Sequence, residues 1–195
     1  EGIRAVGCIS ISEEDNEAEY AEAIVFLSEL LNTRLRNPSR TALLDLGYGQ
    51  GHYARMAAEL QIGTYVGLDF AAPHLEMKGD YHFRCVDICD PELDLEQMFD
   101  VILLIDVAFH VVDDIAFVRL IENVRRHALD TVIVTGLFKH KRIAAHVLHR
   151  SMDQFTRLGG MESIHSWRDT RLAVFRLSWW VRVYRKTLNH LRRLQ

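Results

Sequence analysis

"ALLDLGYGQGHYARMAAEL" (residues 42–60) decides how this chain folds. A short apolar run carries an acid, Asp45, near its end. Gly47, Gly49 and Gly51 follow at alternate positions. Then comes "HYARMAAEL", which is rich in good helix formers and holds no Pro and no β-branched residue. A buried strand, a glycine turn and a helix in that order form the opening of a β-α-β unit.

The neighbouring segments repeat the alternation. Upstream, Ile24, Leu27, Leu30 and Leu31 recur at helical spacing within residues 16–35. Pro38 in "NPSR" ends that helix, because proline cannot donate to its ladder. Downstream, "TYVGLDF", "YHFRCVDI", "FDVILLID" and "DTVIVTGLF" read as four further strands. The segment "AAPHLEMKGD" leaves room for barely one helical turn. "DDIAFVRLIENVRRHAL" is a helix capped by Asp113 or Asp114, with Ile115, Val118, Leu120, Ile121 and Val124 expected inward. "SMDQFTRLGG" reads as a helix closed by glycine. "MESIHSWRD" and "TRLAVFRLS" are too closely spaced for a crossover, so they form an antiparallel pair. The expected fold is α/β: a doubly wound, seven-stranded, mostly parallel sheet with an antiparallel last strand. The expected organisation is an N-terminal segment and helix (1–40), the sheet domain (41–178) and a basic tail (179–195).

Composition narrows the function classes. Of 195 residues, 49% are hydrophobic and 26% charged, enough for one sizeable core. A net charge of -4 gives no global reason to expect nucleic acid. Cys8, Cys85 and Cys89 show neither a disulfide framework nor zinc spacing, so no metal is expected and a reducing, cytoplasmic setting is. A start at Glu1 instead of Met is consistent with a piece of a longer chain. Charge is uneven: the first thirty residues hold eight acids and one Arg, while the last eighteen hold Arg182, Arg185, Lys186, Arg192 and Arg193 and no acid.

Three ligand classes use a glycine-rich strand-to-helix turn. A triphosphate loop needs Lys followed by Ser or Thr, and here Gly51 is followed by His52. A dinucleotide loop has G-x-G-x-x-G, and His52 stands where its last glycine falls. The third class is S-adenosylmethionine. "DLGYGQG" resembles the first motif of the class I S-adenosylmethionine-dependent methyltransferases, whose usual form is D/E-x-G-x-G-x-G. The likeness continues in register through "YVGLDF", "CVDI", "FDVILLIDVAFHVVDD" and "TVIVTGLF", over roughly residues 41–178. Tyr48 departs from it, since a small residue or Cys is common there.

The resemblance implies S-adenosylmethionine as cofactor and gives roles to particular residues. Gly47, Tyr48, Gly49 and Gly51 form the loop around the methionine portion. Asp45 accepts from its ammonium group. Asp69 accepts from the ribose hydroxyls, 22 residues after Gly47. Phe70 stacks on adenine or packs under the sheet edge. Asp87 accepts from the adenine amino group beside Ile88, and Asp106 orders the pocket.

The loop after the fourth strand, "IDVAFHVVDD", lacks the D-P-P-Y-like motif of base and Gln methylation. Its wording resembles the small-molecule branch. His110 is its base candidate, because imidazoles titrate near neutral pH. "KHKRIAAHVLHR" (139–150) should cover the acceptor, with His140, His146, His149 and Arg150 suited to phosphate or carboxylate. Otherwise it is a solvated basic loop. The tail holds Trp179 and Trp180 with five cations, for a partner, an anionic membrane surface or a missing domain. Otherwise the Trp pair packs on the sheet edge. The expected function is methylation of a small molecule or glycan at oxygen. RNA or protein methylation, or a non-catalytic binding module, are the alternatives.

Overall fold

A computed structural model describes residues 13–71, 77 and 79–192. The expectations for residues 1–12, and for most of the short segment after the second strand, lie outside the described residues. The fold is the expected α/β type: a seven-stranded sheet in the order β3-β2-β1-β4-β5-β9-β8. The strands are β1 (Ala42–Leu46), β2 (Thr64–Asp69), β3 (Asp80–Cys85), β4 (Phe99–Leu104), β5 (Ala128–Gly136), β8 (Gly160–Trp167) and β9 (Thr170–Arg176). A separate two-stranded ribbon is made by β6 (Lys141–Ala144) and β7 (Val147–His149). By internal packing the chain divides into two units, 1–86 and 87–195.

In the first unit, β1, β2 and β3 pair in parallel. All of β1 and nearly all of β2 are buried, as for strands covered on both faces, while β3 is mostly exposed and carries charge. Helix α1 (Glu13–Arg34) buries Ala23, Leu27 and Leu31. It stops before the 3-10 turn Pro38–Arg40. Tyr20 of α1 stacks on His52, the first residue of α2 (His52–Glu59), with ring centroids 4.1 Å apart.

In the second unit, β4 and β5 are parallel, while β9 runs antiparallel to both β5 and β8. Helix α3 (Asp114–His127) is capped by Asp113, whose side chain accepts from the Ala116 N–H. Its inner face differs from expectation. Ile115 is 65% exposed and Val118 is also exposed. Leu120, Ile121 and Val124 face inward as expected, and Phe117 and His127 take the places of the other two. Phe117 decides the rotation, because it packs edge-on against Phe155 and under the Arg150 guanidinium. Residues 152–158 form a 3-10 helix in place of the expected α-helix, and Gly159 closes it as expected.

The tail is also reversed relative to the expected packing. Helix α4 (Trp179–Arg192) turns Arg182, Arg185 and Lys186 toward the unit. Arg182 donates to Asp130, Arg185 to the Ala128 carbonyl, and Lys186 lies 3.6 Å from Asp100. Trp179 and Trp180, expected on the sheet edge, are 56% and 76% exposed. No helix among the described residues is long and apolar enough to cross a membrane.

One close approach in the first unit fixes a glycine. A Cβ on Gly67 would lie 2.9 Å from Tyr48 and 3.0 Å from Phe83. Gly67→Ala should therefore cost about 1–3 kcal/mol of stability in urea unfolding. Measured in a Tyr48→Ala background, the cost of Gly67→Ala should be smaller, since one of the two rings that the new methyl meets is gone.

Candidate functional site

The first unit builds a loop at the carboxyl end of β1. Gly47, Gly49 and Gly51 all have positive φ (80°, 50° and 73°), a conformation that side chains other than glycine rarely adopt. The Gly47 N–H continues the pairing with β2 by donating to the Leu68 carbonyl at 2.6 Å. Asp69, at the end of β2, holds the loop from the other side. Its carboxylate accepts from the Gly49 N–H at 3.0 Å and from the Ala71 N–H at 3.1 Å. Helix α2 starts directly after Gly51, so its first N–H groups and the positive end of its dipole lie at the loop.

Asp45 is buried under this loop and accepts from the Tyr65 hydroxyl at 2.5 Å. Burial pushes its carboxyl up to about 7; the Tyr65 bond works against that and the nearby Asp69 adds to it. Tyr48 does not present its side chain to the loop's open side. It is buried, edge-on to Phe83 at 5.0 Å, in the space left by Gly67. The departure from the motif at Tyr48 is thus accommodated beneath the loop, and its backbone stays in the loop. Phe70 is 71% exposed, which removes the expectation that it packs under the sheet edge.

In the second unit, Asp87 is exposed and accepts from the Cys89 N–H at 2.8 Å. Asn123 of α3 braces the same turn by donating to the carbonyls of Ile88 and Asp90. Beyond β4, Asp106 has a φ of 57°. Its N–H donates to Thr135 Oγ1 at 2.6 Å, and its carboxylate accepts from Thr135 Oγ1 at 2.9 Å and from Arg168 at 3.2 Å. A strained backbone at this point is thereby held from β5 and from the β8–β9 turn.

The 3-10 turn Ala108–His110 follows. The exposed His110 donates from Nδ1 to the His146 carbonyl at 3.2 Å, and the two imidazoles lie parallel, 6.0 Å apart. That bond places the proton on Nδ1 and leaves Nε2 as an acceptor in the neutral ring. Phe109 packs on His149 at 4.8 Å. The segment expected as a loop is the β6–β7 ribbon, and its end is not solvated: His149 and Arg150 are buried. His149 Nδ1 accepts from the Leu137 N–H; burial, then His110 and Lys141, lower its pKa. Arg150 donates to the Asp114 carboxylate and to the Val111 and Val112 carbonyls. Its expected place at an acceptor is corrected: the guanidinium is committed to internal partners. His140 is exposed. Among the described residues no three His, Cys, Asp or Glu side chains converge as a metal ligand set.

Residues 43–131 match the family model described as a methyltransferase domain. The chain carries that domain from β1 into β5, around the glycine loop and the acids at its rim. Its fold is shared with magnesium protoporphyrin IX methyltransferase from Synechocystis, solved with bound S-adenosylmethionine: TM-score 0.66, 14% identity, 89% of this chain and 86% of that one covered. The N-methyltransferase NodS from Bradyrhizobium japonicum gives TM-score 0.65 at 16% identity, over 84% and 98% of the two chains. A Burkholderia thailandensis 1,6-didemethyltoxoflavin-N1-methyltransferase gives 0.59 at 14% identity, over 89% and 93%. No curated protein matches the sequence significantly.

The residues of the loop suit S-adenosylmethionine. A Cβ on Gly49 would meet nothing nearer than the Gly47 carbonyl oxygen at 4.0 Å, so the side of the loop that a ligand needs is open. Sequence reasoning missed Tyr65, Asn123, Thr135 and Arg168. Thr135 alone carried a signal, as a hydroxyl in an otherwise apolar stretch of strand. Asp69→Ala should weaken S-adenosylmethionine binding about tenfold or more in calorimetry, since hydrogen bonds to a charged group are worth about 1.5–3 kcal/mol.

The buried acid gives a second expectation. A carboxyl raised to about 7 in the fold binds more protons folded than unfolded between about pH 4 and about pH 7. Stability should fall as pH rises through that window and level off above it. Asp45→Asn should flatten the fall, read from urea midpoints at about pH 5 and about pH 8. An unchanged slope in that variant would place the titration elsewhere.

Proposed function

We propose that this methyltransferase acts on a hydroxyl group of a small molecule, with His110 as the base. The observation that carries this reading is the Nδ1 bond from His110 to the His146 carbonyl. It leaves Nε2 as the acceptor nitrogen of an exposed ring. A hydroxyl must lose its proton to become a good nucleophile, whereas a neutral amine already offers a lone pair. An exposed imidazole acceptor therefore favours oxygen. The names of the structural neighbours include transfers to both oxygen and nitrogen of small molecules, mitomycin and toxoflavin among them. They support the small-molecule class and leave the atom to the site's own chemistry.

When bound, S-adenosylmethionine supplies a methyl group on a sulfonium, a donor that needs alignment more than activation. On this reading the N–H groups of the glycine loop and of the start of α2 receive the methionine carboxylate. Asp45 and Asp69 receive the ammonium group and the ribose, and Phe70 offers its exposed face to adenine. The resemblance gives Asp87 and Ile88 the adenine amino group and its apolar flank. Asp106 holds its backbone turn and, with it, the start of the His110 segment. His110 Nε2 takes the acceptor's proton. Of the ribbon histidines, His140 and His146 are exposed toward an acceptor, while buried His149 backs Phe109.

A contact through the C-terminal tail belongs to the exposed Trp179 and Trp180. An anionic membrane surface loses support there, because Arg182, Arg185 and Lys186 engage groups of the same unit.

His110→Ala should lower turnover by about 10²-fold or more while S-adenosylmethionine affinity is unchanged. The rising limb of the pH–rate profile should vanish with it. Joint loss of affinity and turnover, with the limb intact, would make His110 a loop-ordering residue only.

A further inference from the structure

The β6–β7 ribbon joins flat rings to positive charge. In the ribbon register, Lys141 stands opposite His149. The His149 ring packs on Phe109, and the next residue, His110, lies parallel to His146 of the ribbon turn. Lys141 is exposed, and no acid occurs from residue 137 to residue 152 to neutralise it. Arg142 donates to the Ala145 carbonyl, and Arg150 is buried on its own partners, so neither competes for the same role. Of the exposed cations Lys139, Lys141 and Arg142, only Lys141 is set by the ribbon register opposite His149, whose ring packs on Phe109.

We propose that the acceptor is a planar aromatic molecule bearing both a hydroxyl and a carboxylate, and that Lys141 is a specificity residue that pairs with the carboxylate. This rests on the reading of His110 as the base. The ring system lies against the Phe109 and imidazole faces, which bind flat π systems through dispersion and favourable quadrupole geometry. The ammonium of Lys141 pairs with the carboxylate, a charge-assisted contact that a neutral analogue cannot make. The pairing fixes which hydroxyl reaches His110. The chain's net charge of -4 disfavours a polyanion on the same surface, whereas a single carboxylate needs only a local cation.

The test is equilibrium binding, so it reads without methyl transfer. The full chain is saturated with S-adenosylhomocysteine and titrated with para-hydroxybenzoate and a hydroxynaphthoate, each beside its carboxamide. The acids should bind about tenfold tighter than their amides. Lys141→Met should abolish that preference and leave amide binding unchanged; Lys141→Arg should retain most of it. His Hε1 resonances of the histidine cluster should move with the acid in the wild type. Equal binding of acid and amide, survival of the preference in Lys141→Met, or no binding of any aromatic acid would overturn the proposal. So would tighter binding of a short single-stranded RNA that displaces the acids. Failure of the base assignment shows instead as turnover and a pH limb that persist in His110→Ala, with carboxylate preference intact.

Discussion

The glycine loop depends on one carboxylate. Asp69 ends β2, and its two oxygens accept from the N–H groups of Gly49 and Ala71. An acid at a strand end can reach a glycine loop only if the two strands are neighbours and in register. Here Asp45 pairs with Gly67 and Leu46 with Leu68, which brings the end of β2 level with the start of the loop. The loop is thus shaped by the protein itself. A carboxylate has about four lone-pair sites, so accepting two backbone bonds leaves capacity for the ribose hydroxyls of the proposed function. An amide would serve the loop less well, because both backbone partners are donors.

The second unit solves a similar problem at the end of β4. Asp106 adopts a left-handed backbone without being glycine, which has an energetic cost. Thr135 and Arg168 hold it there from two directions. The 3-10 turn that carries His110 begins two residues later, so the strain sets the direction in which the segment leaves the strand. His146 then fixes the ring through its carbonyl. Positioning comes from the backbone of one element and the tautomer from the backbone of another.

Much of the fold was legible because its signals are local. The glycine loop, the apolar parallel strands and the short connection before β9 each follow from a handful of adjacent residues. The positions of Asp45 in β1, of Asp69 at the end of β2 and of Asp87 after β3 were legible for the same reason. The failures share one cause: long-range pairing. Nothing near Tyr65 shows that its hydroxyl meets Asp45, twenty positions away. Ile115 and Val118 follow helical spacing as well as Phe117 does, and only the Phe155 and Arg150 contacts choose between the stripes. The β6–β7 ribbon turns at Ala145 and His146, without the Asn-Gly or Gly-X pair that marks a tight hairpin, so it read as a loop. Arg150 looked like a surface cation for the same reason: its partners lie at residues 111–114.

Helix α4 faces its unit with Arg182, Arg185 and Lys186 and faces outward with tryptophan. An amphipathic helix docked by its apolar stripe is gripped more firmly as salt is added, because added salt strengthens burial while leaving few ion pairs to screen. This helix is attached largely by attraction between charges and carbonyls, which mobile ions weaken. Its response to ionic strength therefore has the opposite sign. In concentrated salt its grip on the unit relaxes just as the exposed indoles become stickier, so this is the end of the chain where salting-out should begin.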